Sequence, residues 1–183
     1  MSINGERIYL RVVRPADVTE HYCSWMNDPE VNAYLESRFY PHTMESLQDY
    51  VKEKSEDSRT VFLAIVLKNG DRHIGNIKLG PIDWNHRRGD IGIIIGEKDC
   101  WGKGYASEAI GLISDYAFNK LNLHKITAGA YQTNPGALKA FLKNGFQEEG
   151  IRKQHVYCEG QYLDIIQMGL MNPRGSNDGK DTN

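Results

Sequence analysis

The sequence predicts one mixed sheet covered by helices, a domain of the α/β or α+β class, and three observations predict it. A buried strand, an amphipathic helix and a second strand follow one another between residues 90 and 131, which implies a right-handed crossover joining parallel strands. Turn signals at Asn69-Gly70-Asp71 and Glu159-Gly160 divide apolar runs into antiparallel hairpins. The apolar period also lengthens from two residues to the helical spacing after Gly104, so strand and helix alternate rather than segregate.

Taken in order, residues 7–13 read as a strand, with Ile8, Leu10 and Val12 alternating with Tyr9, Arg11 and Val13. Arg14-Pro15 opens a helical region for which Asp17 is the expected N-cap. Trp25, Met26, Val31, Tyr34 and Leu35 suggest short helices broken at Asn27-Asp28-Pro29. Thr43 caps the next helix, with Ser46 in the capping-box position. Strands follow at 61–67 and 74–79. After a loop comes an almost unbroken isoleucine strand at 90–95, the pattern of a sheet interior. Ala106, Ile110, Ile113, Ala117 and Leu121 then form one helical stripe. Residues 125–131 read as a strand. Asn134-Pro135 starts a helix as N-cap and first-turn proline, and Gly145 ends it. Two strands around the Glu159-Gly160 turn close the domain, which is placed at 1–171. Residues 172–183 hold no large apolar side chain and read as a disordered tail.

Composition excludes several classes. With 183 residues the chain fits one domain able to bury its own core. A formal net charge of -2 argues against nucleic acid as the main partner, since phosphate binding needs a basic stripe, although net charge alone leaves a local basic patch open. No apolar run approaches the ~20 residues of a membrane span, and no signal-peptide core opens the chain, so a cytoplasmic location is expected. Cys23, Cys100 and Cys158 are scattered and unpaired in sequence, as free thiols in a reducing compartment are, and no metal site is expected.

The most informative segment runs from residue 91 to 117. A buried strand enters Gly102-Lys103-Gly104 and a helix follows at once. Glycines let successive N–H groups face one ligand, the helix start adds unpaired donors, and Lys103 adds a full positive charge. Such a loop suits a pyrophosphate. A nucleoside-triphosphate loop, Gly-x-x-x-x-Gly-Lys-Ser/Thr, does not fit: Gly96 to Gly102 is one residue too long and Gly104 takes the hydroxyl position. The dinucleotide pattern fails at Ser107, where a third glycine or alanine is needed.

Asp99-Cys100-Trp101-Gly102-Lys103-Gly104 resembles motif A of the GNAT acetyltransferases, Gln/Arg-x-x-Gly-x-Gly/Ala, with Asp99 departing at the first position. Asn134-Pro135-Gly136-Ala137 through Lys143-Asn144-Gly145-Phe146 is similar to the family's second block, and the likeness spans roughly residues 7–171. Tyr105-Ala106 after the glycines looks like the branch of ribosomal-protein N-terminal, spermidine and amino-sugar acetyltransferases. The resemblance implies a mostly antiparallel sheet with helices on both faces, in which 128–131 splays from 90–95. It implies acetyl-CoA as cosubstrate, held by Ile93, Ile94 and Ile95, by Trp101, Gly102, Lys103, Gly104, Tyr105 and Ala106, and by Asn134, Ala137 and Phe141. Main-chain N–H groups near Ile94 and Ile95 are then expected at the thioester oxygen.

Acetyl transfer requires a neutral amine, a polarised carbonyl and a proton for the leaving sulfur. The family's usual proton donor is a tyrosine seven residues after the asparagine, and that position holds Phe141. Tyr131 and Tyr157 are substitutes, and Glu97 is the candidate base. Glu36, Arg38, His86 and Asp164 are candidate acceptor contacts. Cys100 has no His/Asp pattern beside it and is not expected to be a nucleophile. The implied reaction is direct attack on acetyl-CoA by the primary amine of a small molecule. A nucleotide-linked amino sugar, a polyamine and a protein N-terminus stand as acceptors, a non-catalytic acyl-CoA sensor is the alternative of another class, and a homodimer fits by resemblance.

Overall fold

The computed structural model describes residues 2–173. Eight strands form one sheet: β1 (Ser2–Asn4), β2 (Ile8–Val12), β3 (Val61–Leu67), β4 (His73–Leu79), β5 (Arg88–Ile95), β6 (Lys125–Tyr131), β7 (Gln147–Cys158) and β8 (Gln161–Met171). Their order across the sheet is β1-β2-β3-β4-β5-β6-β8-β7, and every pair is antiparallel except β5 with β6. Five α-helices accompany it: α1 (Glu20–Asn27), α2 (Pro29–Asn32), α3 (Met44–Glu56), α4 (Tyr105–Asn119) and α5 (Pro135–Lys143).

The strand period of two distributes side chains between two layers. On one face Ile8, Leu10, Leu63, Ile65, Ile77 and Leu79 join Ala109, Ile110, Ile113, Phe141 and Phe146 in the main core beneath α4 and α5. On the other, Ala64 and Val66 pack with Tyr22, Trp25, Leu47 and Val51 of α1 and α3. A smaller cluster of Tyr131, Leu163 and Ile165 covers the same second face of β6 and β8.

Most helix limits follow the sequence chemistry. The Thr43 side chain accepts from the Ser46 N–H, and Ser46 answers through its hydroxyl, completing the capping box of α3. Asn134 caps α5 and Pro135 opens it. The cap of α1 is Thr19, not Asp17. Asp17 instead takes both terminal nitrogens of Arg11, at 2.7 and 2.8 Å, and the Arg14 N–H at 2.7 Å, fixing a 3-10 turn at Pro15–Asp17. β1, three residues with no buried side chain, has no hydrophobic signature in the sequence. The tail expectation needs correction at its first residue. Asn172 is buried, with its N–H on the His124 carbonyl and its side chain on that of Leu123. The remainder of that expectation, 174–183, lies outside the described residues. No helix among the described residues is long and apolar enough to cross a membrane, and no group of three or more His, Cys, Asp or Glu is placed to hold a metal.

Candidate functional site

The site begins where the parallel pair fails. β5 and β6 are in register only from Arg88↔Lys125 to Asp90↔Thr127. Beyond that, β5 continues against β4 as far as Ile95, and β6 against β8 as far as Tyr131, so a wedge opens between them. The Asp90 carbonyl accepts from Gly80 and the Gly96 N–H donates to Ile74, both toward β4. Strand alternation therefore turns the main-chain groups of Ile93 and Ile95 into the wedge. The Ile95 carbonyl is met there by the Trp101 indole N–H at 2.8 Å. The main-chain groups of Ile94 are turned toward β4 by the same alternation.

At the end of β5 the chain enters the glycine loop. Gly102 and Gly104 hold φ of +72° and +83°, and open space lies where a Gly102 side chain would sit. α4 has no side-chain cap, and its first internal bond runs from the Glu108 N–H to the Gly104 carbonyl. The N–H groups of Tyr105, Ala106 and Ser107 are thus unspent donors at the positive end of a 15-residue helix. This open, donor-rich cradle beside the wedge fits a pyrophosphate with an attached extended arm. Lys103 is exposed beside it, and Asn134 borders the wedge as the cap of α5, its Oδ1 accepting from Ala137 at 3.1 Å. Phe141 does not line the wedge. It is buried against Phe146 in the main core.

The face opposite α4 and α5 carries Asp90, Gly92 and Ile94 from β5, and Thr127, Gly129 and Tyr131 from β6. Tyr131 is buried; its hydroxyl donates to Glu36 at 2.6 Å and accepts from Arg38 at 2.8 Å. Burial, reinforced by the Glu36 carboxylate, pushes its pKa up to about 12. Arg38 also donates to the carbonyls of Leu35 and Tyr157 and lies over the Phe39 ring. Tyr34 packs edge-on against Tyr131 and anchors its own hydroxyl on Thr133. Glu36, Arg38 and Tyr131, nearly a hundred positions apart in sequence, therefore form one polar cluster at the open end of the wedge, with the Glu36 side chain 74% exposed. Tyr157 joins it through its main-chain carbonyl, its ring packing edge-on against Tyr162.

Sequence reasoning missed Asp90. It sits where β5 and β6 part, accepts a 2.7 Å hydrogen bond from the Thr127 hydroxyl, and is open to solvent though closely ringed by protein. That enclosure raises its pKa, against the opposing pull of Thr127, Lys78 and Arg152. The available signal was a lone carboxylate in a strand of isoleucine and glycine.

Three other candidates lie elsewhere. Glu97 is mostly buried, its Oε1 shared by His21 and the Trp25 indole N–H and its Oε2 facing Arg72, so it clamps α1 to the end of β5 rather than standing ready as a base. Trp25 in turn lies so close to Gly96 that no side chain fits there. His86 is exposed in the turn before β5, at the closed end of the strand pair, with its N–H on Asp83. Asp164 alternates with Leu163 and Ile165 and so points to the opposite face from Tyr131. Lys153 and the Gln154 N–H hold it at the irregularity in β7, and Lys153 keeps its pKa low.

Comparison with known proteins agrees with this architecture. The sequence model of the acetyltransferase (GNAT) domain matches residues 7–147. The probable N-acetyltransferase YjcK of Bacillus subtilis is 31% identical over 93% of this chain and 97% of its own. Spermidine N(1)-acetyltransferase of Escherichia coli K12 is 32% identical over 78% of this chain and 74% of its own. The crystal structure of spermidine N-acetyltransferase from Vibrio cholerae, in complex with CoA and spermine, matches with a TM-score of 0.85 at 25% identity, covering 94% of this chain and 100% of that one. With a splayed parallel pair, a glycine loop opening a helix and a domain-length match, this chain belongs to the GNAT acetyltransferase family.

Proposed function

We propose that the protein transfers an acetyl group from acetyl-CoA to a primary amine of a small polycationic acceptor, a polyamine, by direct attack within a ternary complex. The observation that carries this is the acceptor face, with Asp90 at the closed end of the wedge and Glu36 at the open end. Thr127, which bonds Asp90, and Tyr131, which bonds Glu36, lie four residues apart on β6, about 13 Å along a strand. Two carboxylates at that separation suit an extended chain with a cation at each end. Similarity to proteins named spermidine N-acetyltransferases supports the same class. A nucleotide-linked amino sugar would bring a diphosphate to this face, where Arg38 is already committed to Tyr131, Leu35 and Tyr157.

Acetyl-CoA, when bound, supplies the acetyl group and departs as the free thiol. Asp90 takes a proton from the ammonium, directly or through one water, leaving a nitrogen lone pair to attack. Its raised pKa makes it a better acceptor than an ordinary aspartate. As the C–N bond forms and the C–S bond breaks, the nitrogen sheds a second proton and the sulfur gains one. The shed proton passes to water and the sulfur takes its proton from solvent: Phe141 has no hydroxyl, and the Tyr131 hydroxyl, which keeps its proton through neutral pH, is held on Glu36 about 13 Å along β6 from Asp90. The N–H of Ile93, the wedge-facing donor nearer to Asp90, offers a hydrogen bond to the carbonyl oxygen. Cys100 is not set up as an acyl carrier, since it is buried and burial pushes its thiol pKa up.

The test is thiol release from acetyl-CoA with spermidine, spermine, simple diamines, a nucleotide-linked amino sugar and a peptide with a free N-terminus. Turnover is expected with the polyamines. Glu36→Gln should raise their KM about tenfold while the KM for acetyl-CoA stays unchanged, the signature of a lost charge-assisted contact to the acceptor alone. Coenzyme A binding without thiol release from any amine would identify a non-catalytic acyl-CoA module and reject this reading.

A further inference from the structure

We infer that Arg7 and Arg72 are positioning residues of the cofactor loop, Arg7 by aiming the Gly104 N–H and Arg72 by cancelling the charge of Asp99. The inference rests on the reading that this loop holds the pyrophosphate of acetyl-CoA. Neither arginine belongs to the loop. Arg7 precedes β2 and Arg72 precedes β4, two places apart in the sheet, and they reach the loop separately.

Arg7 is fixed before it acts. Glu108, in the first turn of α4, accepts from the Arg7 N–H at 2.8 Å, from the Ile8 N–H at 3.2 Å and from Arg7 Nε at 2.9 Å. The guanidinium lies over the Tyr105 ring at 4.8 Å. So held, Arg7 Nη1 donates to the Lys103 carbonyl at 2.8 Å. A trans peptide is planar, with its C=O and N–H pointing in opposite directions. Gripping the Lys103 oxygen from the sheet side therefore turns the Gly104 N–H to the other side of that peptide, and a cationic donor on the oxygen polarises the N–H further. With φ of +83°, Gly104 has wide freedom to rotate this peptide, so the direction of its N–H requires an external hold.

Arg72 addresses a different difficulty. Asp99 stands where the motif places glutamine or arginine, and a free carboxylate there would repel a pyrophosphate. Arg72 Nη2 donates to Asp99 Oδ2 at 2.7 Å and to Cys100 Sγ at 3.0 Å, and its Nη1 lies 3.7 Å from Glu97. The cation absent from the first position of the motif is thus supplied from the β3–β4 turn.

The experiment measures Kd for coenzyme A by calorimetry and KM for acetyl-CoA and acceptor by thiol release, with thermal melts as a control. Arg72→Ala should weaken coenzyme A about tenfold, and more at low salt, by leaving Asp99 unpaired, with kcat and acceptor KM held. Adding Asp99→Asn to that variant should restore affinity to within about twofold, because the repelling charge is gone. A merely structural pair would not be rescued by deleting the second partner. Arg7→Ala should weaken coenzyme A about tenfold, and Arg7→Lys, which lacks the planar fork, should recover only part of it. Equal affinity of Arg72→Ala and the double variant, or wild-type affinity in Arg7→Ala, overturns the inference. If Arg7→Ala does not fold, the exposed Arg72–Asp99 cycle still decides it. No coenzyme A binding by the wild type would reject the cofactor reading itself, and the same titration reads that separately.

Discussion

At the scale of single residues, two carboxylates on one face receive different tasks from their surroundings. Asp90 is enclosed beside Thr127, and burial raises its pKa, while Glu36 reaches into solvent from a 3-10 turn and is steered by the Tyr131 hydroxyl. A base works only when deprotonated, so activity should rise with pH through the Asp90 pKa. Because that pKa lies above the ordinary aspartate value, the acidic limb of kcat/KM should lie above the range of an exposed aspartate. Asp90→Asn should lower kcat about 100-fold or more and abolish that limb, without changing Kd for coenzyme A. A full pH-rate profile of both proteins checks this, and an unchanged acidic limb in the variant would remove Asp90 from the chemistry. Residue identity in the sequence was enough to nominate Glu36, Arg38 and Tyr131. It could not show that they touch, because their contact depends on how the segment before α3 folds over the end of β6. Asp90 escaped notice for the converse reason: its meaning lies in the point at which two strands part, which is a property of pairing.

At the scale of elements, the sequence was most legible where local chemistry decides the outcome. The Thr43–Ser46 box, the Asn134-Pro135 start of α5 and the left-handed Gly145 are all short-range devices, and each sits where the residue pattern put it. Asp17 shows the limit. As a cap residue it competed with Thr19, and a long-range partner, Arg11 on β2, drew it away. His86 and Asp164 show the same limit, since a loop's direction and a strand's face are set by tertiary register. The Arg11–Asp17 pair carries a stability prediction. Burial raises the Asp17 pKa, but Arg11 and the Arg14 N–H outweigh it, and the net value is lowered. A carboxyl whose folded pKa lies below its unfolded value stabilises the fold above the unfolded pKa and loses that contribution as pH falls through the folded one. The melting temperature of the wild type should therefore decline on acidification below about pH 4, and Asp17→Asn should be less stable at neutral pH yet show a shallower decline. Parallel slopes for the two proteins in a pH series of thermal melts would mean that Asp17 does not contribute to acid sensitivity.

At the scale of the whole molecule, the sheet consists of two unequal halves joined by little direct pairing. β1 to β5 form one antiparallel block and β6 to β8 another, and between them run three register pairs at the closed end of the wedge. The remaining connections are helical: α4 leaves β5 and leads to β6 across the main core, and Asn144 at the end of α5 ties back to Ser107 of α4 at 2.9 Å. A ligand whose pyrophosphate lies on the α4 start and whose arm fills the wedge would touch both blocks, adding in the bound state the contacts that β5 and β6 lack toward each other. Such a ligand binds the folded protein and not the unfolded chain, so it stabilises by mass action. Coenzyme A at 100 times its Kd should add about 2.7 kcal/mol, raising the melting temperature by roughly 5–10 °C for a chain of this size. Bridging further predicts where the protection falls. Amide exchange should slow on both β5 and β6 along the wedge, beyond Asp90 and Thr127, and not on α4 alone. Protection confined to the glycine loop and α4 would mean that the pyrophosphate is held while the wedge stays empty, and would separate coenzyme binding from the geometry proposed for acetyl transfer.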